Sequence, residues 1–159
     1  VGGVLEVRGP MLFSGHLGGP PVRPTDWHRT QDLAVLNTEG RVAVLGRADD
    51  LIVSGGEKIA PLEVERIVEA VPGVRRACVF GMPDAVWGEV VCVAIEGDAS
   101  DESLLRAFES TLAAYKRPRR LSVLPSFPEF ASGKIDRVAV RATASASLRP
   151  LGKGSASSS

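Results

Sequence analysis

The stretch Gly46-Arg47-Ala48-Asp49-Asp50-Leu51-Ile52-Val53-Ser54-Gly55-Gly56-Glu57-Lys58-Ile59 constrains this chain more than any other part of it. An apolar, valine-rich run over 42–45 enters it, a charged joint of Arg47, Asp49 and Asp50 follows, and a second apolar run over 51–53 climbs to a glycine pair. Two strand-forming runs broken by three charges are two strands, so the stretch reads as a joint between two bodies. Leu51, Ile52, Val53 and Ile59 flank Ser54-Gly55-Gly56-Glu57-Lys58. That predicts a tight hairpin whose glycines supply positive φ or a close backbone approach.

Before the joint, residues 4–8 alternate apolar with polar and are closed by Gly9-Pro10, the pattern of a half-buried strand and its turn. Residues 15–24 are dense in glycine and proline and read as a surface loop. Apolar runs over 34–36 and 41–45 bracket Asn37-Thr38-Glu39-Gly40, a second hairpin. After the joint, Pro61 suits a first helical position, and Val64, Ile67, Val68 and Val71 follow at helical spacing. Glu63, Glu65, Arg66 and Glu69 make the solvated side of that helix.

Valine-rich runs over 74–80 and 90–95 predict strands, and Ser100 caps a helix that puts Leu104, Leu105, Phe108 and Leu112 on one side. A last strand over 121–124, a loop over 126–133 and a short helix or turn over 135–141 follow. From 142 onward alanine, serine and glycine dominate, which predicts a disordered tail over 142–159. The sum is an α+β fold. A mobile domain over 49–141, with helices packed on a small β-sheet, is preceded by β-hairpin strands over 1–48 that close a larger body. Val1 opens abruptly, as if in mid-strand, so the chain is read as a piece of a longer protein.

Lysines plus arginines equal aspartates plus glutamates, for a formal net charge of +0, so no chain-wide field draws it to nucleic acid or to an anionic membrane. No apolar run reaches the roughly 20 residues of a membrane-spanning helix. A cytoplasmic location is expected. Cys78 and Cys92 each sit in an apolar run and read as small core hydrophobes. His16 and His28 have no carboxylate or thiol companions at ligand spacing, so no metal site is expected in this chain.

Ser132-Gly133-Lys134-Ile135-Asp136-Arg137, taken with the joint, resembles the carboxyl-terminal domain of the adenylate-forming superfamily: acyl-CoA synthetases, non-ribosomal adenylation domains and luciferases. Acyl-CoA synthetases are the nearest in pattern, and Val7 through Leu17 is faintly similar to the o-succinylbenzoate:CoA ligases. The resemblance implies that a carboxylic acid and ATP form an acyl-adenylate and pyrophosphate, and that CoA then forms the thioester. Lys134 would touch the substrate carboxylate and the α-phosphate, where a positioned cation stabilises the transition state as two anions are forced together. Asp32 and Arg47 would hold the nucleotide at ribose and phosphate. Asp49 would be the hinge about which the smaller domain turns. Gly55, Gly56, Glu57 and Lys58 would lie beside the passing pantetheine arm. Mg2+ is expected with ATP but bound by the part preceding Val1, which would also be this domain's partner.

Each of these residues has a plainer reading. Asp32 and Arg47 alone are equally a surface acid and a strand-end base, Asp49 a charged turn residue, and two glycines a tight turn. The chain also departs from the family pattern. Gln31 stands where the family has glycine, which alters the backbone there or weakens the site. Glu129 and Phe130 stand where it has a basic residue and a threonine, and Glu129 would lower local affinity for anions. Two rivals follow. One is an adenylation domain that loads a carrier protein; the other is a non-catalytic nucleotide-binding or interaction module of the same fold.

Overall fold

In the computed structural model, which describes residues 2–15 and 17–152, the backbone forms two units, Val1–Asp49 and Asp50–Ser159. Val1, His16 and residues 153–159, among them the end of the expected tail, lie outside the described residues. The first unit is a three-stranded antiparallel sheet in the order β1-β2-β3, made of β1 (Gly3–Val7), β2 (His28–Leu36) and β3 (Val42–Arg47). Asn37 closes the β2 to β3 turn: its side-chain oxygen accepts from the backbone N–H of Glu39 at 3.0 Å and of Arg41 at 2.8 Å. Thr30 ties β2 to β1 by donating its hydroxyl to the Leu5 carbonyl at 2.9 Å.

A single 3-10 turn, Ala48–Asp50, leads into the second unit. That unit contains β4 (Ile52–Ser54), β5 (Glu57–Ile59), α1 (Pro61–Glu69), β6 (Val74–Asp84), β7 (Gly88–Gly97), α2 (Asp101–Thr111), β8 (Arg120–Val123), α3 (Arg137–Ser145) and β9 (Arg149–Pro150). Its sheet runs β5-β4-β7-β8-β9 with β6 paired antiparallel along β7, while β7 and β8 are parallel. The β6/β7 hairpin is longer than its valine runs suggest. Its register continues past Phe80 and Cys92 to Asp84 and Gly88, closing on the Asp84 carboxylate, which accepts from the N–H of Val86 and Trp87 at 3.0 and 3.1 Å.

Strand alternation sends the side chains of this hairpin to two cores. Val79, Val91, Val93 and Ile95 face α1 and α2 and pack with Val64, Val68, Leu104 and Phe108. Cys78, Phe80, Cys92 and Ala94 face the other way and pack with Phe127, Val140 and Ala144. Each fully buried side chain of valine or phenylalanine size contributes roughly 1.5–3 kcal/mol of transfer free energy. Burial pushes both thiols up, to about 11.

Two expectations are corrected here. Residues 142–152 are not a disordered tail: α3 runs to Ser145 with Val140 and Ala144 both 0% exposed, and β9 pairs with β8. The alanines that read as having nothing to bury are the size this close approach to the sheet admits. Asp136 starts the helix by accepting from the Ala139 N–H at 3.0 Å, and Arg149 closes the end with two 2.6 Å bonds to Asp101. Glu65 is likewise not on a solvated face. It is 5% exposed and accepts from the Val79 N–H at 2.7 Å and from the Arg137 guanidinium at 2.7 Å.

Candidate functional site

The candidate residues fall into three groups. In the first unit, Asp32 on β2 stands directly opposite Arg47 on β3. Arg47 is turned toward the joint, its Nε and Nη2 donating to the two Asp49 oxygens at 2.9 and 3.0 Å. The guanidinium beside Asp49 holds that carboxyl below its ordinary value of 3.8. Arg47 Nη2 also donates to the Gln31 side-chain oxygen. No residue other than glycine adopts positive φ among the described residues, and Gln31 simply continues β2. The amide serves as a third arm of the Arg47 cluster. Asp32 is half-buried, its backbone N–H donating to the Thr30 hydroxyl at 3.0 Å, and its carboxylate has no partner among the described residues.

In the second unit, β4 and β5 form the glycine-pair hairpin, with Gly55, Gly56, Glu57 and Lys58 all exposed. Gly55 has φ +60°, and a Cβ added to it would lie 2.9 Å from Cε3 of Trp87. Its N–H donates to the Trp87 carbonyl at 2.9 Å. Glycine at 55 is therefore demanded by the protein's own tryptophan. Gly56, at φ +86°, has open space where its Cβ would be, so only the turn demands it. Arg119 lies over the Trp87 ring, its guanidinium carbon 4.3 Å from the ring centroid. This contact joins residues from two separate loops, so residue spacing carries no sign of it.

Lys134 stands in the third group, at the surface, on a loop that is not loose. The Phe130 N–H donates to the Lys134 carbonyl at 2.8 Å, the Gly133 N–H to the Phe130 carbonyl at 2.9 Å, and the Asp136 N–H to the Pro128 carbonyl at 2.9 Å. Glu129 and Ile135 form an antiparallel bridge. The ammonium of Lys134 has no partner among the described residues. Glu129 is paired with Arg76, so the free negative charge expected beside the lysine is neutralised. On the far side of the loop, Arg137 donates to the Val79 carbonyl at 2.8 Å and pairs with buried Glu65. Burial is the largest single influence on Arg137 and lowers its pKa, but the Glu65 hydrogen bond and the charges of Glu65, Cys78 and Asp50 together outweigh it and raise the pKa above the ordinary value.

Among the described residues no group of three His, Cys, Asp or Glu side chains stands where it would hold a metal ion, and no helix is long and apolar enough to cross a membrane.

Comparison with known proteins adds to this geometry. The family model described as the AMP-binding enzyme C-terminal domain matches residues 63–134. An uncharacterized acyl-CoA ligase of Bacillus subtilis is 38% identical over 139 residues, covering 87% of this chain and 29% of that protein. The 2-succinylbenzoate–CoA ligase of Lactococcus lactis is 36% identical, with 85% of this chain and 30% of that protein covered. The solved o-succinylbenzoate CoA synthetase of Bacillus subtilis, in complex with its acyl-adenylate intermediate, superposes with a TM-score of 0.75 at 33% identity over 87% of this chain and 30% of its own. The chain thus spans about three tenths of the length of the proteins it matches.

Proposed function

We propose that this chain, whose residues 63–134 match the family model of the AMP-binding enzyme C-terminal domain, is part of an ATP-dependent, AMP-forming acid–CoA ligase. In the first half-reaction a carboxylate oxygen attacks the α-phosphorus of ATP, the bond to the leaving phosphate breaks, and pyrophosphate departs. The barrier is largely electrostatic, anion meeting anion, and the Lys134 ammonium offsets it where charge develops. In the second, the sulfur of CoA, its proton lost, attacks the acyl carbon and AMP leaves.

The observation that carries this reading is an ammonium without a partner among the described residues, held out by a hydrogen-bonded loop in a stretch that matches this family. Asp32, whose carboxylate is also without a partner among the described residues, suits the vicinal hydroxyls of a ribose, with Arg47 opposite it across the strand pair. Asp49 is the proposed pivot, and its exposed 3-10 turn is the one segment linking the two units. Gly55, Gly56, Glu57 and Lys58 form the proposed approach for the pantetheine arm of CoA. Mg2+ accompanying ATP would be held elsewhere in the protein, and no step is routed through it here. A cytoplasmic setting, where ATP and CoA meet, goes with this function.

Pyrophosphate exchange by the full-length protein tests it, with a panel of acids beginning with 2-succinylbenzoate. Lys134→Ala should abolish that exchange while leaving thioester formation from supplied acyl-adenylate largely intact. Equal loss of both halves would count against a lysine that serves only the first.

A further inference from the structure

Residues 129–134 are all exposed, and the hairpin that presents Lys134 meets the core only at its base, where Ile135 packs against the second cluster. Phe130 itself is 55% exposed. The order of this segment rests on its backbone hydrogen bonds and on how its base is fixed to the sheet. That base has one charged attachment on the incoming side. Arg76, on β6, stands opposite Glu96 of β7 in the register, lies 3.6 Å from its carboxylate and donates to Glu129 as well. Glu96 is 6% exposed and accepts from the Phe127 N–H, while the Arg76 guanidinium carbon stacks 5.4 Å from the Phe127 ring centroid. Arg76 therefore joins a buried strand carboxylate, the last buried residue before the loop, and Glu129. Glu129 in turn bridges Ile135, the residue immediately after Lys134.

We propose that Arg76 and Glu129 are positioning residues that clamp the lysine hairpin to the sheet and so fix where the Lys134 ammonium stands. The inference rests on the reading of Lys134 as the adenylation residue. Neither residue is assigned any contact with substrate. Their effect is transmitted through two short links, the Arg76 to Glu129 ion pair and the backbone bridge from Glu129 to Ile135. A basic residue at 129 would meet Arg76 as a like charge and push the hairpin base off the sheet. Glutamine there would keep an acceptor for the guanidinium.

The test uses the full-length protein with two readouts, hydrogen exchange of a peptide spanning residues 126–137 and the separate rates of the two half-reactions. Glu129→Lys should speed exchange of the Phe130, Gly133 and Asp136 amides about tenfold, as a locally opened segment does. It should slow acyl-adenylate formation roughly 10- to 100-fold, the scale of an ångström-sized misplacement of a reacting group. Thioester formation from supplied acyl-adenylate should stay within about twofold of the parent, because in the proposal the lysine does not act there. Glu129→Gln should retain most of both signals, and Arg76→Gln placed in the Glu129→Lys background should recover only the part lost to repulsion, because the ion pair itself stays absent. Unchanged exchange in Glu129→Lys overturns the clamp. Faster exchange with an undiminished adenylation rate overturns the positioning role, and so does equal slowing of both half-reactions. Lys134→Ala is scored in parallel. If it leaves adenylation intact, the reading of Lys134 fails, and the exchange measurements still decide the clamp.

Discussion

The two units of this chain treat the same kinds of residue differently. Every fully buried hydrophobic residue among those described belongs to the second unit, from Ile52 to Ala144. The first unit leaves Leu36, Val42 and Val44 of its sheet exposed at 67%, 55% and 39%. Charges follow the same division. Arg47 and Asp49 pair in the open at 46% and 53% side-chain exposure, whereas Glu65 meets Arg137 at 7% and 34%. A charge pair in the first unit holds a local geometry beside the joint. The Glu65–Arg137 pair joins two elements and carries structural energy, since loss of Arg137 strands the Glu65 carboxylate away from water.

The comparison is broken most directly by separating the halves. Residues 50–152 alone should unfold in one cooperative thermal transition, while residues 1–49 alone should show no transition and no dispersed amide spectrum. A cooperative transition in the shorter piece would erase the distinction. Next in size is Arg137→Ala, which leaves the Glu65 carboxylate buried and unpaired and should cost about 3 kcal/mol in urea unfolding. Asp49→Ala, its exposed counterpart, should leave the unfolding midpoint where it was.

Gly55→Ala should cost about 1–2 kcal/mol, from positive φ and from the collision with Trp87 together. Trp87→Ala should relieve part of that cost, while the cost of Gly56→Ala should be unaffected by it. The smallest effects come from the thiols. Cys78 and Cys92 should resist alkylation at pH 8 until the second unit is unfolded, because thiols with pKa values of about 11 carry little thiolate. Their folded pKa lies above the ordinary 9.0, so the neutral thiol is favoured in the folded state. That contribution to stability is whole below pH 9.0 and is lost as the pH climbs through about 11. Stability that rose over this range would contradict the burial of both groups.

The reach of sequence reasoning differs from one element to the next. The β4/β5 hairpin, the Pro61 start of α1 and the Ser100 cap of α2 follow from residue type and spacing over a few positions, and the structure has them there. Glu65 was misread because a charge three residues from Val68 looks solvated until Arg137 arrives from a distant part of the chain. The end of α3 was missed for a related reason: Ala144 gains its burial only from the sheet beneath it. Within the candidate site, the types and order of Asp32, Arg47, Asp49, the glycine pair and Lys134 were legible in the chain. The roles of Gln31, Trp87, Arg119 and Arg76 were not, since each acts on a partner that folding brings to it.

By itself, the order of residues determined the strands from β1 to β8, the joint at Asp49 and Asp50, and the lysine loop, because periodicity, turn chemistry and capping act between near neighbours. Only the tertiary structure decided which charges are buried, why Gly55 admits no side chain, and what ties the Lys134 hairpin to its sheet. Those depend on distances between residues far apart in sequence, and burial, electrostatic strength and steric exclusion are set by those distances.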